Sequence, residues 1–177
     1  MKTAVIVIDV QSALFDQVPR PEAADAVIAR INALTGRARQ AGLPVAFIQH
    51  QSPNVPVQFD TAGWRFAHNL HIEPGDTVIA KTTPDSFLRT NLGEWLEGNE
   101  IKQVVICGGM TEFCVDTTTR RAAALGYQVV LASDAHTTHD KAHASAAFIR
   151  AHHNATLPDI GSFGPVISAI ESAAIAF

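Results

Sequence analysis

Asp9, Lys81 and Cys114 are residue types that can act together in covalent catalysis. A thiolate is a nucleophile, and an ammonium beside it favours the ionised sulfur. A carboxylate can take the thiol proton and later deliver it to a leaving amine. Each of the three follows an apolar run. Asp9 closes Ala4-Val5-Ile6-Val7-Ile8, and Lys81 follows the short stretch Asp76–Ala80. Cys114 lies beyond Val104-Val105-Ile106-Cys107, which breaks at Gly108-Gly109. A plainer account stands beside this one. Asp9 can be a turn residue paired with Lys81 at a sheet edge, and Cys114 a buried thiol, as free cysteines commonly are.

These residues can meet only if the elements before them are parallel strands, whose carboxyl ends lie on one edge where open α/β sheets bind ligands. Residues 1–10 read as the first strand. Ala24, Val27, Ile28, Ile31 and Leu34 fall at helical spacing within 21–40, with Pro21 in the first turn and Ala41-Gly42 as the stop. Strands follow at 44–48 and 76–80, separated by a long loop over 49–75. Asp85 or Ser86 can cap a helix that carries Phe87, Leu88, Leu92, Trp95 and Leu96 inward and ends at Gly98-Asn99. After the 104–107 strand, a helix opening near Cys114 runs to Gly126, where helix-dipole and ammonium effects both favour thiolate. Residues 127–132 form another strand, 140–152 a helix packing through Ala142, Ala146, Ala147 and Ile149, and 165–177 a terminal helix. Residues 154–164 are a loop or short strand. This alternation predicts an α/β fold, three-layer α/β/α with a central mostly parallel sheet, in a single domain over 1–177.

The chain has 177 residues, 47% of them hydrophobic and 17% charged, enough for one sizeable core. The formal charge of −4 is spread along the chain with no basic block, so nucleic acid is not an expected partner. No apolar run reaches membrane-spanning length, so no membrane partner is expected either, and the N-terminal run stops too soon for a signal peptide. The two cysteines, Cys107 and Cys114, give no disulfide framework, and a cytoplasmic, reducing setting is the expectation.

The chain resembles the isochorismatase-like cysteine hydrolases, which include nicotinamidases and N-carbamoylsarcosine amidase. VIVIDVQSALFD, VIAKTTPDSFLRTNL and CGGMTEFCVDTTTRRAAALGYQV, then SDAHTT, carry the resemblance in this order from end to end. It implies a triad of Asp9, Lys81 and Cys114, a cis peptide at Gly109-Met110, and an oxyanion hole from the N–H groups of Met110 and Cys114. It further implies a small-molecule substrate and a homo-oligomer, a dimer or larger even-numbered assembly. Trp64, Phe66 and Trp95, in segments that lean toward exposure, are consistent with such an assembly. Retention of Cys114 points to cleavage of an amide or ureido C–N bond. Alternatives are a vinyl-ether hydrolase of the isochorismatase type and a binding protein that keeps the fold.

The departures concern metal. Nicotinamidases hold an ion through a D-x-H pattern after the second strand, where this chain reads FIQHQSPN. His50, His68 and His71 are available in the long loop, but neither Asp60 nor Glu73 stands two residues before a histidine. The expectation is therefore no metal and no cofactor. Gln11, Phe15, Trp64, Phe87, Thr111 and Phe113 are candidate substrate-binding residues. Glu112 and Phe113 could instead pack or face another subunit. Cys107 reads as core, and Asp134 as a cap for the loop after its strand.

Overall fold

Six parallel strands make one sheet in the order β3-β2-β1-β4-β5-β6. The computed structural model describes residues 1–54 and 56–177; Val55, within the expected long loop, lies outside the described residues. In chain order the elements are β1 (Thr3–Ile8), α1 (Ser12–Phe15), α2 (Ala24–Gln40), β2 (Val45–His50) and β3 (Thr77–Lys81). Then come α3 (Leu92–Gly98), β4 (Gln103–Gly109), a π turn (Thr111–Val115) that runs into α4 (Asp116–Ala124), and β5 (Gln128–Thr137). The chain closes with α5 (Ala146–Thr156), β6 (Ile167–Ile170) and a short 3-10 turn at Ser172–Ala174.

The period of two along β1 sorts its side chains between two cores. Val5 and Val7 pack with Val27, Ile28, Ile31 and Leu34 of α2 on one face. Ala4, Ile6 and Ile8 pack on the other with Leu92 and Leu96 of α3 and Ala122 and Ala123 of α4. Continuous apolar runs are what a sheet buried on both faces requires. The chain leaves β1 toward β2 and β3 on one side, while β4 leads to β5 and β6 on the other. The carboxyl edge between β1 and β4 is therefore the topological switch point, where a crevice opens.

Four expected elements differ. The terminal helix over 165–177 is the edge strand β6, whose Ile167 pairs with Val129 of β5, followed by a single tight turn. Hydrogen bonding to an open sheet edge outweighs the helical preference of an alanine-rich stretch. The helix expected from Asp85 begins only at Leu92, because Asp85 and Thr90 use their side chains in local turns and the Ser86 hydroxyl pairs with Thr118 of α4. The helix expected over 140–152 is Ala146–Thr156, capped by the Ser145 hydroxyl, which accepts from the Phe148 N–H. The strand expected over 127–132 continues to Thr137 past a bulge opposite Ile106 and Gly108.

Candidate active site

Asp9 stands one residue past β1 with φ 52°, a left-handed conformation that aspartate tolerates better than most residues. Its N–H donates to Ile48 O at 3.0 Å and its carbonyl accepts from Gln11 N–H at 2.9 Å, so Asp9 is both the turn and a carboxylate delivered to the edge. Lys81 ends β3 and Cys114 sits in the π turn beyond β4. The structure brings all three together. Lys81 Nζ lies 2.7 Å from Asp9 Oδ2 and 3.0 Å from Cys114 Sγ. It also donates to Thr83 O at 3.1 Å, and His50 Nδ1 is 3.4 Å away. Asp9 and Lys81 are almost wholly buried, and a charge pair in that setting must be tightly matched.

The turn before Cys114 contains a cis peptide at Gly109-Met110. The Met110 carbonyl accepts from the N–H groups of Phe113 and Val115, passing over that of Cys114 between them. Gly108 and Gly109 pair with His136 and Thr137 of β5, which fixes the entry to the turn.

The electrostatics of the site pull in opposite directions. Burial and the negative charge of Asp9 push the Cys114 thiol up to about 12, against the opposing pull of Lys81. The direction favours the neutral thiol, because burial and the carboxylate oppose ionisation while the ammonium promotes it. Asp9 Oδ1 is buried and has no hydrogen-bond partner among the described residues.

Asp9, His50 and Cys114 are the one group of metal-ligand types that converges among the described residues, with ligand atoms all within 4.8 Å of one another. They fit an ion poorly. Lys81 Nζ contacts all three, so an ammonium already stands in the cation position. His68 and His71 do not join them. Their backbone N–H groups are tied to Asp16 and Asn32, and both residues are exposed.

The substrate-binding candidates divide. Gln11 is fully buried and its amide is engaged by backbone, donating to His50 O and Trp64 O and accepting from His50 N–H, so it braces the edge and has no atom left for substrate. Phe15 is fully buried in the core beside Gly109. Thr111 is fully buried and bonded to His136. Phe87 stacks on Tyr127, which precedes β5 at the opposite, amino edge of the sheet. Phe113 is 51% exposed and lines an apolar cleft against α5 with Phe148, a cleft that none of the triad lines. Trp64 is brought to the right edge: its carbonyl accepts from Gln11 and Gln49, and its ring tilts against Phe59 at 4.9 Å. Trp64 and Phe66, expected to lean outward, are half-buried, as is Trp95.

His50 escaped the sequence reading as part of the triad's surroundings. The signal was present, since His50 ends β2 opposite Lys81, much as Asp9 directly follows β1. Burial and the Lys81 charge hold it below the usual imidazole range, so it faces the ammonium as a neutral acceptor.

The comparisons identify the family and the fold. The isochorismatase domain matches residues 3–169. A streptothricin hydrolase of Streptomyces noursei is 37% identical over 140 residues, covering 77% of this chain and 50% of its own length. The chain thus spans about half the length of that relative. A ureidoacrylate amidohydrolase of Rhizobium rhizogenes is 27% identical over 171 residues, covering 76% of this chain and 70% of its own. The crystal structure of an isochorismatase from Pseudomonas putida superposes with a TM-score of 0.89 at 27% identity, over 99% of this chain and 90% of that one. With the domain match running through all six strands to Ala169 of β6, this chain belongs to the isochorismatase family of hydrolases.

Proposed function

We propose that the protein cleaves a C–N bond of a small amide or ureido substrate through a thioester acyl-enzyme on Cys114. The observation that carries this reading is the single ammonium of Lys81 bridging Asp9 Oδ2 and Cys114 Sγ. Asp9 takes the thiol proton as Sγ bonds to the carbonyl carbon. Lys81 offsets the negative charge while it passes from carboxylate to sulfur. The N–H groups of Met110 and Cys114 receive the tetrahedral oxyanion, the role in which preorganised donors contribute most. Collapse breaks the C–N bond, and Asp9 returns the proton to the departing ammonia or amine. Water then gives a proton to Asp9 and attacks the thioester, and the acid leaves as the thiol is reprotonated.

A neutral resting thiol suits this sequence, because the proton moves within the attack itself. A cavity of about 380 Å³, lined by Gln51, Ser52, Pro53, Gln58, Phe59 and Thr82, the residue after Lys81, has the size for a small amide, although no triad side chain lines it. The name of the amidohydrolase relative points to the same bond class. Among the described residues no helix is long and apolar enough to cross a membrane. The expected partners are the substrate and further copies of the chain, and half-exposed Phe113 and Phe148 are surface that an assembly would cover. Light scattering tests the assembly against the chain mass of 18.9 kDa.

The reading is tested by assaying ammonia release from a panel of small amides and ureides. At least one should turn over, and Cys114→Ala should abolish that turnover. Hydrolysis undiminished in Cys114→Ala would remove the thioester from the mechanism.

A further inference from the structure

A buried chain of hydrogen bonds lies behind the nucleophile, on the side away from Lys81. Thr111, the first residue of the π turn, places Oγ1 2.9 Å from His136 Nδ1. His136 Nε2 is 2.9 Å from Asn154 Oδ1, and Asn154 Nδ2 donates to Ser133 O at 2.9 Å. Thr111 and His136 are fully buried.

The bonds determine their own directions. Because the Asn154 amide nitrogen is held by a carbonyl, the atom facing Nε2 is the oxygen, which can only accept. Nε2 therefore carries a hydrogen. Burial holds His136 down at about 4, so the ring is neutral and Nδ1 must accept. The Thr111 hydroxyl is its donor. The chain thus links α5, β5 and the π turn with every polar atom facing a matching partner, the condition under which a buried network rigidifies its surroundings. The next residue is anchored by the same segment, since Glu112 Oε1 accepts from Thr138 Oγ1 and Lys141 Nζ, each at 3.0 Å.

We propose that Thr111, His136 and Asn154 form a positioning relay that fixes the turn carrying Cys114, holding Sγ against Lys81 and Asp9. Thr111 lies between Met110 and Cys114, so a rotation of this turn displaces the sulfur and the two proposed oxyanion donors together. A misplacement near 1 Å can cost about a hundredfold in rate. All three are cast as acting through the turn and not on the reacting atoms. The relay deepens the cysteine mechanism above and rests on it for its effect on hydrolysis, but it has a readout that does not require hydrolysis.

The test uses Thr111→Val, which keeps the buried shape and removes the hydroxyl, beside Thr111→Ser, which keeps it. Thr119→Val is the control, because Thr119 Oγ1 is also buried and has no partner among the described residues. Iodoacetamide labelling of Cys114 at about pH 9 is followed by mass spectrometry, with Cys114→Ala as background. In Thr111→Val a loosened thiol moves back toward its ordinary ionisation, so labelling should rise by at least about threefold. Hydrolysis of a panel amide should fall by at least about tenfold in kcat with KM little changed. Thr111→Ser and Thr119→Val should behave as wild type. Unchanged labelling and kcat in Thr111→Val overturn the relay, as does failure of Thr111→Ser to restore them or an equal effect in Thr119→Val. If Thr111→Val does not fold, Asn154→Ala decides by the same readouts. Full hydrolysis in Cys114→Ala would instead sink the mechanism, while labelling still judges the relay.

Discussion

Gly108 lies so close against Ile8 that a Cβ built on it would stand 2.1 Å from the Ile8 carbonyl oxygen. The two residues are paired between β4 and β1, one residue before Asp9 and at the entry to the turn that holds Cys114. Their close approach sets how near the carboxylate and the sulfur can come. Gly108 also has φ +115°, a conformation that a side chain disfavours. The neighbour is backbone, so it cannot swing aside.

Gly108→Ala is therefore expected to destabilise the fold by more than about 4 kcal/mol, at the far end of single-substitution effects. Urea unfolding checks this. A soluble variant with wild-type stability would show that β1 and β4 can part at this point without cost.

The elevated Cys114 thiol leads to a second expectation. With its ionisation pushed up to about 12, labelling of the resting enzyme by iodoacetamide should be slow at neutral pH. It should climb with pH and show no plateau below about pH 10. A plateau near pH 7 would mean that Lys81 dominates Asp9 and burial, and that the resting form is a thiolate after all.

His136 makes stability depend on acid. Its ionisation is depressed from 6.5 to about 4 in the folded chain. The unfolded chain takes up this proton below about 6.5, while the folded chain resists until about 4. The contribution is thus complete above the upper value and is lost as pH falls toward the lower one. Melting temperature should decline over that window, and His136→Asn should show a shallower decline, although it begins from a lower value because the relay is broken. An equally steep decline in His136→Asn would assign the effect to other groups.

Chelation gives a fourth expectation. Lys81 Nζ occupies the space among Asp9, His50 and Cys114, the one cluster of ligand types among the described residues. Hydrolysis should survive exhaustive treatment with EDTA. Loss of activity restored by zinc, iron or manganese would show that an ion can displace the ammonium or that loop histidines gather elsewhere.

Much of the fold was legible from local pattern. The runs Ala4–Ile8 and Val104–Cys107 are apolar at every position, and only a strand covered on both faces uses that pattern. Because parallel strands share one carboxyl edge, Asp9, Lys81 and the turn beyond β4 could be brought to a common place from sequence alone. The run Pro165–Phe177 was illegible for the opposite reason. Its alanines favour helix in isolation, and only the open edge of β5, brought there by the rest of the chain, makes Ile167–Ile170 a strand.

The chemistry within the site was decided by tertiary structure. Whether Cys114 rests as thiol or thiolate depends on its burial and on the competing nearness of Asp9 and Lys81, residues 105 and 33 positions away in the chain. The fate of Gln11, Phe15 and Thr111 was likewise non-local. A polar or aromatic residue beside a strand end can face a ligand or brace the edge, and the partners that decide lie in other elements. For Gln11 these are His50 and Trp64, and for Thr111 it is His136. Spacing along a chain fixes which edge a residue reaches; only packing fixes what its atoms meet there, because hydrogen bonds and desolvation act over a few ångströms.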